Sequence, residues 1–275
     1  MDRDRVNLCD TIRREGYGVE RINLPWFHTL AQALAYVLNS TETTDSFQVA
    51  LNAGTARQYA MSLLNPPLSL SVSRAATWSF NEAVDSFTNE LASQNQDRTE
   101  LLAKWRNLVS RAETLNILLS NELQTLATYY AAKKGIYDTA DLIEKADETL
   151  PTSTLENVSE EVHREIRDAG RCLAFDNHTA VGFHIMRAVE SVLYDYTHAI
   201  CPDGKIRRSQ NWGHYLNLLR TSPDTDVKEV VALLQQLKDR HRNLIMHPEI
   251  VLSEDDALRL FETGKTSIMA MADRL

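Results

Sequence analysis

Long stretches without a helix-breaking residue are the feature that most limits what this chain can fold into. Nine glycines and seven prolines interrupt 275 residues, and residues of high helix propensity such as Leu, Ala, Glu and Lys fill the intervals. After the polar segment 93–98, apolar residues recur at a helical period from Leu101 to Lys134, directly before Gly135. The sequence therefore predicts an all-α protein with one long helix near its middle.

The first 95 residues predict a smaller, mainly helical region in which we identify no chemistry. Segments 29–39 and 74–92 carry apolar residues at helical spacing. Between them, leucines and a valine alternate with serines over 68–73, at the period of a strand. This alternation is typical of an extended or irregular insert within the helical region.

The chain divides into three predicted parts. These are a helical region of unknown role at 1–95, connecting helices at 96–154 and a helical bundle at 155–275. The bundle consists of helix-period segments with short joints, which predicts four or five antiparallel helices. Pro248 ends its penultimate helix, because proline lacks an amide N–H and disfavours the α conformation of the residue before it.

Capping residues mark the start of two of these helices. Ser253 is followed by three acidic residues, which is typical of an N-terminal cap with favourable charges for the helix dipole. Asp138 or Thr139 can cap a short helix that ends before Pro151.

Composition excludes several classes of protein. A net charge of −9 and a pI near 5.4 argue against a broad basic surface for nucleic acid, although a local basic site is compatible with them. The start of the chain is charged and no run of about 18 apolar residues occurs, so we expect a cytoplasmic protein without a membrane partner. Three widely separated cysteines predict neither a disulfide framework nor a zinc clip.

We also expect no metal and no cofactor. Glu160 and His163 form one Glu-x-x-His pair, whereas a di-iron bundle needs a second pair on a partner helix. Phosphate-binding glycine loops, dinucleotide fingerprints and nucleophile elbows do not occur in the sequence.

The segment RHRNLIMHPE, residues 240–249, concentrates the chemistry of the chain. Arg242 and His247 lie near the end of the penultimate helix. Five positions correspond to about 140° on an ideal α-helix, so the two side chains do not share a face. Convergence on one phosphate therefore requires a frayed last turn or a second copy of the site from a symmetric partner, which predicts a homodimer.

This segment resembles the signature of the HEPN domains, in which an Arg is followed four to six residues later by His, often with Asn directly after the Arg. The string RNLIMH fits that signature and lies near the end of the penultimate helix of the predicted bundle. The second helix of the family is similar to HTAVGFHIMRAVESVL, in which Arg187 is followed three residues later by Glu190. The resemblance covers residues 155–275.

The resemblance implies a metal-independent endoribonuclease of the toxin or antiviral defence type that works as a homodimer with a shared active site. His247 would act as acid or base, and Arg242 would stabilise the charge that develops on the phosphate. Asn243 would position the phosphate or the imidazole. Glu190, beside Arg187 on its helix, would hold Arg187 or Arg242 in place.

Two local groups of basic residues are candidates for binding the RNA backbone. One contains Lys238 and Arg240, and the other contains Lys205, Arg207 and Arg208. If they flank the site, they would make RNA binding salt-dependent. Charged groups of this kind are more often solvated surface.

Three alternatives stay open at this point. An Arg and a His at a helix C-terminus also stabilise the helix through its dipole without any catalysis. The bundle can likewise bind RNA or a protein partner without cutting anything. In a third arrangement, residues 1–95 sense a trigger, a regulatory protein or an antitoxin, and the bundle cuts RNA.

Overall fold

A computed structural model describes residues 22–65, 68–95, 97–202, 206–208, 211–242, 249 and 251–275, and only the backbone of residues 241 and 242. The secondary structure of these residues is helical and contains no strand, which confirms the all-α prediction for this part of the chain. Residues 68–73 form an irregular connection and not a strand, yet Leu70 is buried in the core.

The chain divides into two compact units, Met1–Thr128 and Tyr129–Leu275. The boundary between them therefore lies inside the segment 96–154, which the sequence analysis took as a connection. The first unit contains α1 (Leu24–Leu38), α2 (Ser46–Ser62), α3 (Arg74–Leu91) and α4 (Arg98–Gln124).

The second unit contains seven α-helices within the described residues. They are α5 (Thr139–Lys145), α6 (Thr152–Asn157), α7 (Glu160–Ala174), α8 (His178–Ile200), α9 (Trp212–Leu219), α10 (Thr225–Leu237) and α11 (Glu254–Ala272). A 3₁₀ turn, Ala146–Thr149, follows α5, and a π-helical turn, Lys238–Arg242, follows α10.

Helix α4 is shorter than predicted. It begins after Asp97, whose side chain caps the N–H of Thr99, but it ends at Gln124 and does not reach Gly135. At that end the hydroxyl of Thr125 donates to the carbonyl of Glu122 at 2.7 Å. The following segment LATYY is rich in β-branched and aromatic residues, which have lower helix propensity than the residues before it.

The predicted caps in the second unit are confirmed. The Asp138 side chain accepts from the N–H of Ala140 at the start of α5. Ser253 and Asp256 form a reciprocal capping box at the start of α11. These caps depend on residues a few positions apart, which is why the sequence was sufficient to predict them.

Helices α8 and α11, which are not consecutive along the chain, run parallel. Near their starts, the hydroxyl of Thr179 accepts from the N–H of Leu252, and further along Gly264 approaches Ile185. Two intervening helices, α9 and α10, return the chain to the same end of the unit. Large buried side chains fill its core, among them Trp212, Tyr196, Tyr215, Phe261 and Ile166.

Candidate active site

The motif RNLIMH, residues 242–247, begins at the last residue of a turn in which the helical winding changes. Helix α10 ends at Leu237, and the chain continues as the π-helical turn Lys238–Arg242. Such turns are rare and occur frequently at functional sites. Asn243 and His247 lie outside the described residues, as does the side chain of Arg242, so their convergence stays a prediction.

The π-helical turn lies against the N-terminal half of α8. The turn packs on α8. The direction of α10, the helix that leads into the turn, follows from its contacts with α11. Arg274, at the end of α11, pairs with Asp226 near the start of α10 at 2.6 Å, whereas Arg240 and Arg259 line one groove at the opposite ends. Helix α10 is therefore antiparallel to α11 and, since α11 is parallel to α8, to α8 as well.

The same half of α8 carries a cluster of ionisable side chains around Glu165 of α7. Glu165 is buried, with 3% of its surface exposed. One of its oxygens, Oε2, lies 2.8 Å from Nδ1 of His184, and the other, Oε1, lies 2.8 Å from the guanidinium of Arg187. The guanidinium of Arg164 is 3.9 Å from Oε1. We call these four residues the Glu165 cluster.

The sequence reasoning missed Glu165 and His184, although a signal for Glu165 exists. Val162, Ile166 and Ala169 form the buried stripe of α7, and Glu165 lies on that stripe. A carboxylate at an apolar position of an amphipathic helix needs a charged or hydrogen-bonding partner, since burial without one is costly. His184 and Arg187, three residues apart on α8, supply these partners.

The imidazole of His184 is oriented in a way that suits acid–base chemistry. Its Nδ1 is bonded to the buried carboxylate, while its side chain remains 27% exposed. A carboxylate on one ring nitrogen fixes the tautomer and leaves the other nitrogen, Nε2, for a second partner. Nε2 of His184 forms no hydrogen bond with the described residues.

Of the two predicted supporting residues, Arg187 belongs to the Glu165 cluster. Arg187 is paired with Glu165 and is largely exposed on its outer side, with 61% of its side chain accessible. Glu190, one turn further along α8, is half-buried. Its proposed role in holding Arg187 or Arg242 stays a prediction.

The predicted RNA-binding residues lie in different surroundings. Arg208 is 3.1 Å from Glu161 and 4.0 Å from Asp195, so two carboxylates offset its charge. Arg207 is exposed, and its carbonyl accepts from the hydroxyl of Tyr215. Lys205 lies outside the described residues.

Lys238 and Arg240 belong to the π-helical turn itself. Lys238 is half-buried beside Gly213 of α9, whereas Arg240 is exposed and lines a groove of about 680 Å³ between α10 and α11. Leu233 and Leu237 supply apolar surface in this groove, and Arg259 lies across from them. Within the described part of the chain, neither Arg240 nor Arg259 has a carboxylate partner.

A buried lysine lies behind this groove. The ammonium of Lys265 donates to the hydroxyl of Tyr137 at 2.6 Å, and that hydroxyl donates to Glu262. Burial lowers the pKa of Lys265, although Glu262 opposes this effect. Two carboxylates, Asp256 and Glu262, line the same groove as the two arginines, without forming an ion pair with either of them among the described residues.

Two other clusters of potential ligands are accounted for by ion pairs. Asp176, His178 and Glu254 have ligand atoms close enough together to hold a cation, but the ammonium of Lys134 lies 2.5 Å from Asp176 and 4.0 Å from Glu254. His163, of the Glu-x-x-His pair, lies 3.1 Å from Asp147. Neither arrangement requires a metal ion to explain it.

Comparison with known proteins identifies no relative. No protein-family model matches the chain, and the comparisons with curated proteins and with solved structures found no significant match. Among the described residues, no helix is both long and apolar enough to cross a membrane. The structure thus defines an all-α protein of two units, and its function is argued from the site.

Proposed function

We propose that the protein is a metal-independent endoribonuclease whose active site combines Arg242, Asn243 and His247 in a homodimer. The observation that carries the proposal is the π-helical turn leading into RNLIMH. This turn packs on α8, the helix that also carries His184 and Arg187. A guanidinium that binds phosphate oxygens and an imidazole that transfers a proton are suitable groups for cleaving a phosphodiester.

The reaction follows from the chemistry of these groups. The 2′-hydroxyl of a ribose loses its proton and forms a bond to the adjacent phosphorus, and the bond from phosphorus to the 5′-oxygen breaks. The products are a 2′,3′-cyclic phosphate and a 5′-hydroxyl. His247 transfers a proton, and the fork of the Arg242 guanidinium binds the phosphate oxygens as their negative charge grows. Asn243 positions one of these groups by hydrogen bonding.

The proposal includes a homodimer for a geometric reason. On an ideal α-helix, Arg242 and His247 are about 140° apart, so one copy of the motif does not surround a phosphate. A two-fold axis near the motif would bring two copies into one cleft. In this proposal the enzyme acts in the cytoplasm as a toxin or antiviral effector, and the first unit receives a regulatory protein or antitoxin.

The decisive experiment is RNA cleavage in the presence of EDTA. We expect the purified protein to cut RNA and leave 2′,3′-cyclic phosphate ends, and His247→Ala to reduce the rate about 10²- to 10⁴-fold. His28→Ala is the matched control, since His28 is exposed in the first unit and its loss should leave the rate unchanged. Absence of cleavage, or an equal rate in His247→Ala, contradicts the proposal, and so does a strict monomer in light scattering at micromolar concentration.

A non-catalytic binding role is the second candidate, and one observation favours it. Arg240 and Arg259 line an open groove with apolar surface, and neither is paired with a carboxylate in the described residues. Two such guanidinium groups suit an anionic partner such as an RNA strand. RNA binding that survives His247→Ala, together with no new RNA ends, would favour this role over cleavage.

A further inference from the structure

We infer that two copies of the chain pair through an uncharged face of the first unit, formed by α1 and α2. The face lies where the connection 39–45 joins the end of α1 to the start of α2. We call it the α1–α2 face and define it by six side chains, Gln32, Tyr36, Asn39, Phe47, Leu51 and Asn52. The proposed function requires a homodimer, and this inference rests on the proposed function in that respect alone.

The core of the first unit does not account for the apolar side chains on this face. Helix α2 already buries its other side, through Val49 and three alanines. Phe47 and Leu51 lie one turn apart on the outer side of α2, where they are 66% and 57% exposed, and Tyr36 of α1 is 38% exposed. Large apolar side chains that are grouped on a surface, and not scattered singly, mark a site of association.

A groove of about 620 Å³ lies between the two helices at this face. Four of the six side chains line it, namely Gln32, Tyr36, Asn39 and Asn52. Leu51 directly precedes Asn52 on α2, so the apolar ridge of Phe47 and Leu51 runs beside the groove. The face therefore combines a ridge with a groove, which two copies related by a two-fold axis can fit into each other.

The charges around this face favour a second copy as the partner. The chain has a net charge of −9, so two copies repel each other wherever their acidic surfaces meet. Helix α1 contains no Asp, Glu, Lys or Arg, and α2 contains Arg57, which lies 2.5 Å from Asp85 of α3. In the connection between the helices, Glu42 pairs with Arg106 and Asp45 caps α2. The α1–α2 face thus opposes a second copy less than a charged surface does.

The amide side chains of the groove can form hydrogen bonds with copies of themselves. Nδ2 of Asn39 donates to the carbonyl of Ala35, and Nδ2 of Asn52 donates to that of Gln48, both at 2.8 Å. Among the described residues, no donor contacts the amide oxygens of these asparagines, and the amide of Gln32 has no partner. An amide offers both a donor and an acceptor, whereas a carboxylate or a guanidinium offers one kind alone. Amides on two copies can therefore pair across a two-fold axis.

Other classes of partner fit this face less well. A nucleic acid strand binds through cations, and the six side chains of the face include none. A strongly acidic or basic peptide likewise finds no opposite charge there. An uncharged surface with exposed apolar groups and amides fits, and the same face on a second copy is such a surface.

Sedimentation of the full chain, before and after charges are placed on the face, tests this inference. We expect the unaltered chain to be a dimer at micromolar concentration. We expect Phe47→Glu combined with Leu51→Glu to raise the dissociation constant of the dimer about 10²-fold or more, because like charges then meet in the contact. Ile117→Glu is the matched control, since Ile117 is 58% exposed on α4, outside the face, and this variant should remain a dimer.

A mixture of oppositely charged variants distinguishes a second copy from a different partner. Phe47→Lys combined with Leu51→Lys should also be monomeric by itself. Mixed with the double glutamate variant, it should form a dimer that contains one copy of each, because opposite charges then face each other. If neither variant dimerises by itself and the mixture does not recover, the face does not pair with itself and the inference is overturned.

Two further measurements separate the loss of pairing from a loss of folding. Thermal unfolding of the double variants should match that of the unaltered chain, since the substituted side chains lie outside the core. Without any substitution, hydrogen exchange of peptides covering 32–39 and 46–52 should slow as the protein concentration rises, while exchange in α3 stays constant. Exchange that is independent of concentration over the range in which the dimer forms contradicts the inference.

The outcomes also distinguish this inference from the proposed function. A dimer that the double glutamate variant leaves intact overturns the α1–α2 face, whether or not the protein cuts RNA. A dimer that depends on this face in a protein that cuts no RNA supports the inference, while the proposed function fails. A strict monomer at micromolar concentration overturns both.

Discussion

Glu122→Gln is expected to destabilise the first unit by about 3 kcal/mol at neutral pH, through the loss of hydrogen bonds to a charged acceptor. Glu122 is 8% exposed near the end of α4. Its Oε1 accepts from the N–H of Ser71 at 2.7 Å and of Val72 at 2.8 Å. Its Oε2 accepts from the N–H of Ser73 at 2.8 Å and from the Ser73 hydroxyl at 2.7 Å. Glutamine keeps one of these acceptors and turns an NH₂ group toward the other donors.

The effect of this substitution should depend on pH. Burial alone would raise the pKa of Glu122, but the hydrogen bonds from the Ser73 side chain and from the N–H groups of Val72, Ser73 and Ser71 lower it to about 2. The ordinary value is 4.5, so the unfolded chain takes up the proton first as the pH falls. The stabilisation by Glu122 is therefore complete above about pH 5 and is lost as the pH falls toward 2.

Denaturant unfolding of the full chain between pH 7 and pH 3 checks this expectation. The difference in unfolding free energy between the unaltered protein and Glu122→Gln should shrink across the acid range. Hydrogen exchange of peptides covering 68–77 should rise in the variant at neutral pH, since the N–H groups there lose their acceptor. Glu113→Gln, an exposed position on the same helix, should show neither change. A difference that stays constant with pH would contradict the role of the carboxylate charge.

The contact of Glu122 with 71–73 also explains why the segment 68–73 is irregular and not a strand, the two alternatives that the sequence left open. Alternating leucines and serines predict an extended segment when neighbouring strands accept its N–H groups. Here a side chain 51 positions away accepts them, and Leu70 is buried without any sheet. A sequence pattern reports which residues are apolar, but it does not report which distant group satisfies the backbone.

The same distinction separates what was predicted at the site from what was not. The caps at Asp138 and Ser253 follow from neighbouring residues, whereas the predicted helix end at Pro248 lies outside the described residues. The pairing of Glu165 with His184 joins two helices through a carboxylate on an otherwise apolar stripe. To predict this pair, one must know that α7 and α8 pack side by side. The only indication of that packing in the sequence is the short joint between the two helices.

Gly170→Ala is expected to destabilise the second unit by about 3 kcal/mol, because the added methyl group has no space. A Cβ at this position of α7 would lie 2.2 Å from the Cβ of Ala146 and 2.6 Å from the carbonyl oxygen of Leu142. The oxygen belongs to the backbone of α5, so no side-chain rotation relieves the contact. The gain in helix propensity, about 1 kcal/mol, offsets only part of this cost.

Gly54→Ala is the matched control, since the same change within α2 meets no atom within 4 Å and should stabilise the protein by about 0.5–1 kcal/mol. The double variant Gly170→Ala with Ala146→Gly removes one of the two contacts and leaves the one with the Leu142 carbonyl. It should therefore recover only part of the lost stability in denaturant unfolding. Full recovery would contradict the argument, because it would show that α5 shifts at little cost and that α7 does not depend on this close approach.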